Sequence, residues 1–219
     1  KEPQKMTILN SGIASLKKRL DMIKSARHNI EVEFFIYDIE GSARAFTQAL
    51  VKKAKEGIRV RLLVDYGLPV FQLNRYFAKE LQKHGIEVRY YNTSGILEAY
   101  KMQFRSHRKL IVVDDQMAIT GGRNIADEYF DLSKKYNFLD TDIYVEGSVA
   151  KKMRETFDAF WDYKMSVPAK PVIELSRQDF TMAYPGRAGD HQNAYDKAVA
   201  RYRQQSAQAA DYVTENAHD

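Results

Sequence analysis

The stretch from His107 to Asn124 contains residue types whose spacing could carry out chemistry. His107 and Lys109 stand two residues apart, just before an unbroken apolar run, Leu110 to Val113, that is typical of a buried strand. Side chains two residues apart on a strand share a face, so the imidazole and the ammonium are predicted to meet at one spot.

Two glycines and an asparagine follow this run. Asp115–Gln116 favours a reversal into a second strand, Met117–Thr120, which would return Gly121–Gly122 to the side of His107. The glycines let a substrate approach the main chain, and Asn124 offers an amide donor. A neutral imidazole, a cation and an amide donor suit a phosphoryl group, because the imidazole can attack phosphorus while the others stabilise charge on its oxygens.

An isolated His-x-Lys pair usually marks only an exposed strand end, but the full pattern H-x-K-(x)4-D-(x)6-G-G-x-N is specific. It resembles the HKD signature of the phospholipase D superfamily, in the GGRN variant of bacterial cardiolipin synthase-like members. The similarity runs from about Leu9 to Tyr163 and includes Val32–Asp38 and Gly57–Asp65. It is similar to an N-terminal half of such an enzyme. The resemblance implies a phosphodiesterase or phosphatidyltransferase that forms a phosphohistidine, with no metal or cofactor, in a site built from two HKD halves.

A catalytic imidazole needs a carboxylate or carbonyl on its second ring nitrogen to fix the tautomer. Asp142, at the start of the predicted strand Ile143–Glu146, is the candidate for this role beside His107. The resemblance supports the choice by position, since superfamily members have an acidic residue at the start of the corresponding strand. Asp140 and Asp127 remain alternatives.

Asp114 and the two glycines are expected to support the site rather than react. Four strand residues place Asp114 on the order of 16 Å beyond Lys109, since a strand rises about 3.3 Å per residue. Many superfamily members have Ser at the position of Gly122, and its hydroxyl touches phosphate. This chain lacks that donor.

Basic residues surround the motif. Arg105, Arg108 and Arg123 could meet a second anionic group of the substrate, although arginines at strand ends are usually only solvated. The formal net charge is +5, and residues 166–219 hold six basic and seven acidic residues, so the surplus lies in the first 165 residues. This surplus favours phosphate-bearing partners, either an anionic lipid surface or nucleic acid, although solvated surface lysines alone would also produce it. The resemblance implies an anionic phospholipid substrate and a membrane surface as partners, with nucleic acid as the less favoured partner.

Helices and strands alternate ahead of the motif. This order predicts an α/β fold, a phospholipase D-like half whose mixed, mostly parallel sheet is flanked by helices on both faces. The predicted elements are a helix at Thr7–Ala26, a strand at Ile30–Tyr37, a helix at Ala43–Glu56, a strand at Ile58–Asp65, a helix at Phe71–His84 and a strand at Ile86–Tyr91.

Residues 1–165 are predicted to form the catalytic half, and residues 166–219 a linker and partly helical extension toward a second half. The absence of cysteine excludes disulfides, a thiolate nucleophile and a zinc-finger cluster. No run of 18 apolar residues and no leader occurs, so neither a transmembrane nor a signal segment is predicted in these residues. The resemblance implies a bacterial protein associated with the inner membrane. The chain begins without Met, so we expect a fragment of a longer protein.

One HKD motif supplies one histidine, whereas the implied mechanism needs a nucleophile and a separate general acid. The second half is expected either in cis, beyond Asp219, or from a homodimer partner. The leading hypothesis is a cardiolipin synthase-like phosphatidyltransferase or phospholipase D-type phosphodiesterase. The alternatives are an HKD-type nuclease acting as a homodimer and a non-catalytic half that serves as a scaffold.

Overall fold

The computed structural model describes residues 5–39, 41–66, 73–93, 104–170, 176, 178 and 188–214. The strands are β1 (Lys5–Leu9), β2 (Asn29–Phe34), β3 (Arg59–Asp65), β4 (Ile86–Tyr91), β5 (Leu110–Val113), β6 (Met117–Gly121), β7 (Asp142–Glu146) and β8 (Ser166–Pro168). The helices are α1 (Gly12–Ser25), α2 (Ser42–Lys55), α3 (Arg75–Lys83), α4 (Ser148–Trp161) and α5 (Ala188–Thr214).

The eight described strands form one mixed sheet in the order β1-β7-β6-β5-β2-β3-β4-β8. The α/β prediction is confirmed, but the prediction of a mostly parallel sheet is wrong. Only the β2–β3 and β3–β4 pairs are parallel, and the other five neighbouring pairs are antiparallel. Crossover helices join β2, β3 and β4, whereas the turn between β5 and β6 is too short for a parallel return.

Helices cover both faces of the sheet, as predicted. The face toward α1, α2, α3 and α5 carries the larger apolar core, in which Val32, Leu62 and Ile111 contact residues such as Phe46. The opposite face packs on α4 through a second cluster that includes Val112, Phe157 and Trp161. The two apolar clusters are separate because successive side chains along each strand point to opposite faces of the sheet.

The predicted helix Thr7–Ala26 is instead a strand followed by a helix. β1 pairs antiparallel with β7 at the edge of the sheet, which satisfies the backbone groups on its inner side. Ser11 then begins α1, because its side chain accepts a hydrogen bond from the Ala14 N–H. The helical spacing of apolar residues therefore held only from about residue 12 onward.

Described parts of residues 166–219 pack against the rest of the chain. β8 pairs antiparallel with β4 at the second edge of the sheet. α5 packs on α2 and α3, where Tyr212 meets the Phe77 ring edge to face at 5.1 Å and hydrogen-bonds the Thr47 hydroxyl at 3.0 Å. The sequence boundary at residue 165 thus falls just before a strand of the same sheet.

The turn after β5 includes Asp114, the acidic residue of the H-x-K-(x)4-D pattern. Asp114 and Asp115 both have positive φ (53° and 58°), and Gln116 N–H donates to the Val113 carbonyl at 3.1 Å. These are the features of a type I′ turn, which suits a hairpin. Its central residues are therefore 114 and 115, one position earlier than the predicted reversal.

Candidate active site

His107 and Lys109 come together as predicted, although both precede β5, which begins at Leu110. Lys109 Nζ lies 2.9 Å from His107 Nδ1 and donates to the His107 carbonyl at 2.8 Å. The Phe35 ring lies 4.7 Å from the imidazole, measured between centroids, and 5.6 Å from Lys109 Nζ. The pair thus forms because the lysine side chain folds back toward the imidazole and is buried against an aromatic ring.

The environment favours a neutral imidazole. Partial burial and the neighbouring charge of Lys109 lower the pKa of His107, so its uncharged form prevails near neutral pH. Burial also lowers the pKa of Lys109, and the negative charge of Asp140 opposes that change. An ammonium can only donate, so Nδ1 accepts in the contact with a charged Lys109, and the ring proton lies on Nε2.

The two glycines lie directly against residues at the start of β7. A side chain at Gly122 would collide with the Asp140 carboxylate, and one at Gly121 with the Asp142 carboxylate. Neither glycine has a positive φ, so backbone conformation does not require glycine at either position. At Gly121 the main chain of Thr141 and Asp142 leaves no room for a side chain, whereas at Gly122 only the end of the Asp140 side chain would have to move. The pair brings β6 directly against the start of β7.

Asn124 is buried and its carboxamide is oriented by the main chain. Its Oδ1 accepts a hydrogen bond from the Ile36 N–H at 2.9 Å. The carboxamide also hydrogen-bonds the Tyr129 phenol, whose pKa is raised by burial and by the charges of Glu128 and Asp140. Tyr129 connects Asn124 electrostatically to Asp140, and Asp140 acts in turn on Lys109. These groups surround one end of the sheet.

Asp142 makes no described hydrogen bond or ion pair with His107. It is fully buried, and its carboxylate accepts from Ser15 Oγ at 2.6 Å, from Arg19 at 3.0 Å and from Arg123 at 3.3 Å. Within the described parts of the chain, no carboxylate hydrogen-bonds the imidazole. Asp140, which the sequence left as an alternative, is the acidic residue that acts on Lys109.

Asp127, the other alternative acid, and Arg123 also make only structural contacts among the described residues. Asp127 accepts from the Ser42 N–H at 2.7 Å and lies against Gly41. Arg123 is 1% exposed and donates to the carbonyls of Leu9, Asn10 and Tyr129. A guanidinium so enclosed is not available to a substrate. The sequence could not reveal this, because two of its partners, Leu9 and Asn10, lie more than 100 residues away along the chain.

Arg105 and Arg108 flank His107, as predicted, but each is paired with a buried acid. Arg105 lies 3.2 Å from Asp65, and Arg108 lies 3.2 Å from Glu33. Arg108 also donates to the Thr156 hydroxyl at 3.1 Å on α4. Sequence reasoning missed both acids, although charged residues inside apolar strands were a signal that could have found them.

An open cavity of about 390 Å³ adjoins the imidazole. His107 and Lys109 form one wall, Thr120 and Gly121 of β6 another, and Met153 and Thr156 of α4 a third. Thr120 and the two α4 residues were not predicted as part of the site. Among the described residues, no group of three or more acidic or histidine side chains could hold a metal ion, and no helix is long and apolar enough to cross a bilayer.

Comparison with known sequences gives consistent matches. A family model described as "Cardiolipin synthase, PLD-like domain" matches residues 20–161. Cardiolipin synthase 1 of Bacillus anthracis is 34% identical over 163 residues, which cover 73% of this chain and 31% of that protein. The chain spans about a third of the length of the curated relatives that it matches.

Solved structures share the fold at low sequence identity. Nuc, a phospholipase D family member from Salmonella typhimurium, is 15% identical with a TM-score of 0.58, and the match covers 78% of this chain and 100% of that chain. Phosphatidylserine synthase of Haemophilus influenzae is 14% identical with a TM-score of 0.62, covering 94% and 44%. One neighbour is therefore matched over its whole length and the other over less than half.

Proposed function

Because this chain belongs to the cardiolipin synthase and phospholipase D-like family, we propose that it supplies one catalytic half of a phosphatidyltransferase or phospholipase D-type phosphodiesterase. The observation that carries the proposal is the 2.9 Å contact of His107 Nδ1 with Lys109 Nζ beside an open cavity. A neutral nucleophile next to a fixed cation is what the transfer of a phosphoryl group requires.

The reaction has two steps. A ring nitrogen of His107 first bonds to phosphorus, while the bond from phosphorus to the leaving alcohol breaks and that oxygen takes a proton from a general acid. An acceptor alcohol or water then attacks phosphorus, and the nitrogen–phosphorus bond breaks as the acceptor loses its proton to the same acid–base group. Lys109 and the Asn124 carboxamide are the groups that we assign to stabilising the charge on the phosphoryl oxygens.

Arrival of the phosphate changes the partner of Lys109. In the resting contact Lys109 occupies Nδ1, and the proton lies on Nε2. When Lys109 turns to the phosphate oxygens, Nδ1 can take up the proton, and Nε2 then carries the lone pair that attacks. Asp140 is the acid that we assign to stabilising the protonated Nδ1, because its charge already acts on Lys109.

The site is completed by a second HKD half. The described residues hold one histidine beside a lysine at this cavity, and the leaving alcohol needs its own proton donor. The second half comes either from the same longer chain or from a second copy about a two-fold axis. The Bacillus anthracis relative, three times as long as the matched region, supports the first arrangement, and the fully covered Nuc chain supports the second.

An anionic phospholipid is the proposed substrate, presented at the surface of a bacterial inner membrane. Two findings support it: the match to cardiolipin synthases, and the basic surplus of the first 165 residues. The same surplus also suits a nucleic acid backbone, so the experiment includes a nucleic acid arm.

The test uses the full-length protein and phosphatidylglycerol labelled at phosphorus. The reaction is quenched at alkaline pH, since phosphohistidine is acid-labile, and peptides are mapped by mass spectrometry. We expect the label on the peptide of His107, its loss in His107→Ala, and its retention in His28→Ala, a matched control at an exposed histidine.

Each other result has a definite meaning. Turnover of the lipid without label on His107, or label that persists in His107→Ala, contradicts the covalent role of this residue. Label from single-stranded DNA and none from the lipid would establish the nuclease alternative. Failure of both substrates to react would favour a non-catalytic half.

A further inference from the structure

The segment that carries His107 lies outside the sheet, and its position needs another explanation. Residues 104–109 have no regular secondary structure, and β5 begins only at Leu110. Ladder hydrogen bonds therefore do not fix the backbone at the imidazole. Other contacts must hold it, because a nucleophile displaced by about 1 Å can lose on the order of 100-fold in rate.

Asp65 supplies the first of these contacts. It is the last residue of β3 and is 2% exposed. Its Oδ2 accepts from the Ser106 N–H at 2.7 Å, and its Oδ1 lies 3.2 Å from Arg105. One buried carboxylate thus binds the main chain of the residue that precedes His107 and the side chain of the residue before that.

Glu33 supplies the second contact from the neighbouring strand. It is 1% exposed, its Oε1 accepts from Ser106 Oγ at 3.0 Å, and its Oε2 lies 3.2 Å from Arg108. Asp65 and Glu33 both lie near the carboxyl ends of parallel strands, where open α/β sheets bind ligands. Together Asp65 and Glu33 bind residues 105 and 106 before His107 and residue 108 after it.

Burying two carboxylates is unfavourable, and burial raises the pKa of both Asp65 and Glu33. Apolar residues could fill the same space at lower cost. The presence of two carboxylates here is explained if their charges are needed to orient residues 105–108. Glu31, two residues earlier on β2, shows the alternative use, since it pairs with Arg61 at 2.6 Å and has no described contact with residues 105–109.

We propose that Asp65 and Glu33 are positioning residues, which hold residues 105–108 so that His107 faces Lys109 and the cavity. The inference rests on the proposed function for its effect on rate. Its effect on the imidazole can be measured without any substrate.

The experiment compares Asp65→Asn and Glu33→Gln with the matched control Glu31→Gln in the full-length protein. The first measurement is acylation of His107 by diethyl pyrocarbonate as a function of pH, followed by mass spectrometry. Lys109 lowers the pKa of His107 in the wild type. We expect this pKa to rise in both positioning variants, because the contact with Lys109 loosens, and to stay unchanged in the control.

The second measurement is turnover of phosphatidylglycerol. We expect kcat to fall by roughly 10- to 100-fold in the positioning variants with KM within about threefold, and the control to keep its kcat. Ser106→Ala, which removes only the hydroxyl link to Glu33, serves as a milder variant if either substitution prevents folding. It should raise the pKa of His107 in the same direction.

The positioning role is overturned if the pKa of His107 is the same in the wild type, the folded positioning variants and Ser106→Ala. It is also overturned if Glu31→Gln loses as much kcat as Glu33→Gln, since general loosening of the sheet would then explain both. A wild type that turns over neither lipid nor DNA would contradict the proposed function, whereas the acylation result would still decide the positioning role.

Discussion

One face of the sheet, the apolar face, is covered by four helices over the larger apolar core, and among the described residues its buried ion pairs are confined to Asp142 at the start of β7. The opposite, charged face carries a single helix over a smaller apolar cluster and a row of buried charges along β2 and β3. On the first face Phe34, Phe46 and Tyr37 pack edge to face with ring centroids 6.1 to 6.5 Å apart. On the second face Glu31 and Arg61 form an ion pair, and Arg61 also bonds Asp158 of α4 at 2.5 Å. We expect the apolar face mainly to stabilise the domain, whereas Glu33 and Asp65 of the charged face hold the segment at His107.

The largest effect is expected where the charged face meets the cavity. Lys109→Met should lower kcat by at least about 10³-fold, since it removes the cation that stabilises the phosphoryl oxygens. The same change should raise the pKa of His107, so the acid limb of the pH–rate profile moves to higher pH. Lys24→Met, in the exposed last turn of α1, is the control and should change neither. An unshifted acid limb in Lys109→Met would mean that the charge of Lys109 does not lower the pKa of His107.

The apolar face should show the opposite behaviour. Phe46→Ala should lower the free energy of unfolding by about 3–5 kcal/mol, because the side chain is fully buried among aromatic rings. Its kcat per folded molecule should stay within about twofold of the wild type. Phe104→Ala, at a residue 56% exposed, should cost no more than about 0.5 kcal/mol in urea denaturation. A fall in kcat for Phe46→Ala would mean that the two faces are not separable.

A smaller effect is expected at the far end of β5. The Asp114 carboxylate accepts from the N–H groups of Arg27, His28 and Asn29 at 2.8 to 3.0 Å. Asp114→Ala should therefore lower the free energy of unfolding by about 1–3 kcal/mol and leave kcat unchanged. Asp115→Ala, in the same turn and also at positive φ, loses only a partly exposed ion pair with Arg154 and should cost less than about 1 kcal/mol. Equal losses in the two variants would refute the special role of Asp114.

The smallest effect concerns pH and the buried acids. Burial raises the pKa of Glu31, so the folded state binds more protons than the unfolded state above the ordinary pKa of a glutamate. The stability that Glu31 contributes is thus greatest in acid and is lost as pH rises through its folded pKa. Glu31→Gln should flatten the decline of Tm with rising pH in this range. A slope equal to that of the wild type would show that other groups set it.

Much of the scaffold could be predicted from the sequence, because local patterns decide it. The strand Ile86–Tyr91 has the predicted bounds, and the apolar run Leu110–Val113 is a fully buried strand. The contact between His107 and Lys109 does not come from a shared strand face, as the spacing predicted. It forms because the Lys109 side chain folds back toward the imidazole outside the strand. The prediction succeeded because residues two apart remain neighbours in either conformation.

The failures involve partners that are distant in sequence. The choice of Asp142 as the acid beside His107 rested on its position at a strand end. Moving by one residue along a strand reverses the direction in which the side chain points. The Asp142 carboxylate instead forms ion pairs with two buried arginines, Arg19 and Arg123. The mostly parallel sheet was wrong because the alternation of helices and strands stops after β4. The hairpin and β7 then add antiparallel neighbours.

The hydrogen bonds of Asp114 indicate that its role in the H-K-D signature is structural. Its backbone is left-handed, which glycine would tolerate best, yet glycine has no carboxylate for the N–H groups of Arg27, His28 and Asn29, which lead into β2. A short acidic side chain satisfies both demands. Under the proposed function, the first two residues of the H-K-D signature serve reactivity, whereas the third serves chain folding. A homologue that has lost its chemistry should therefore still have the aspartate.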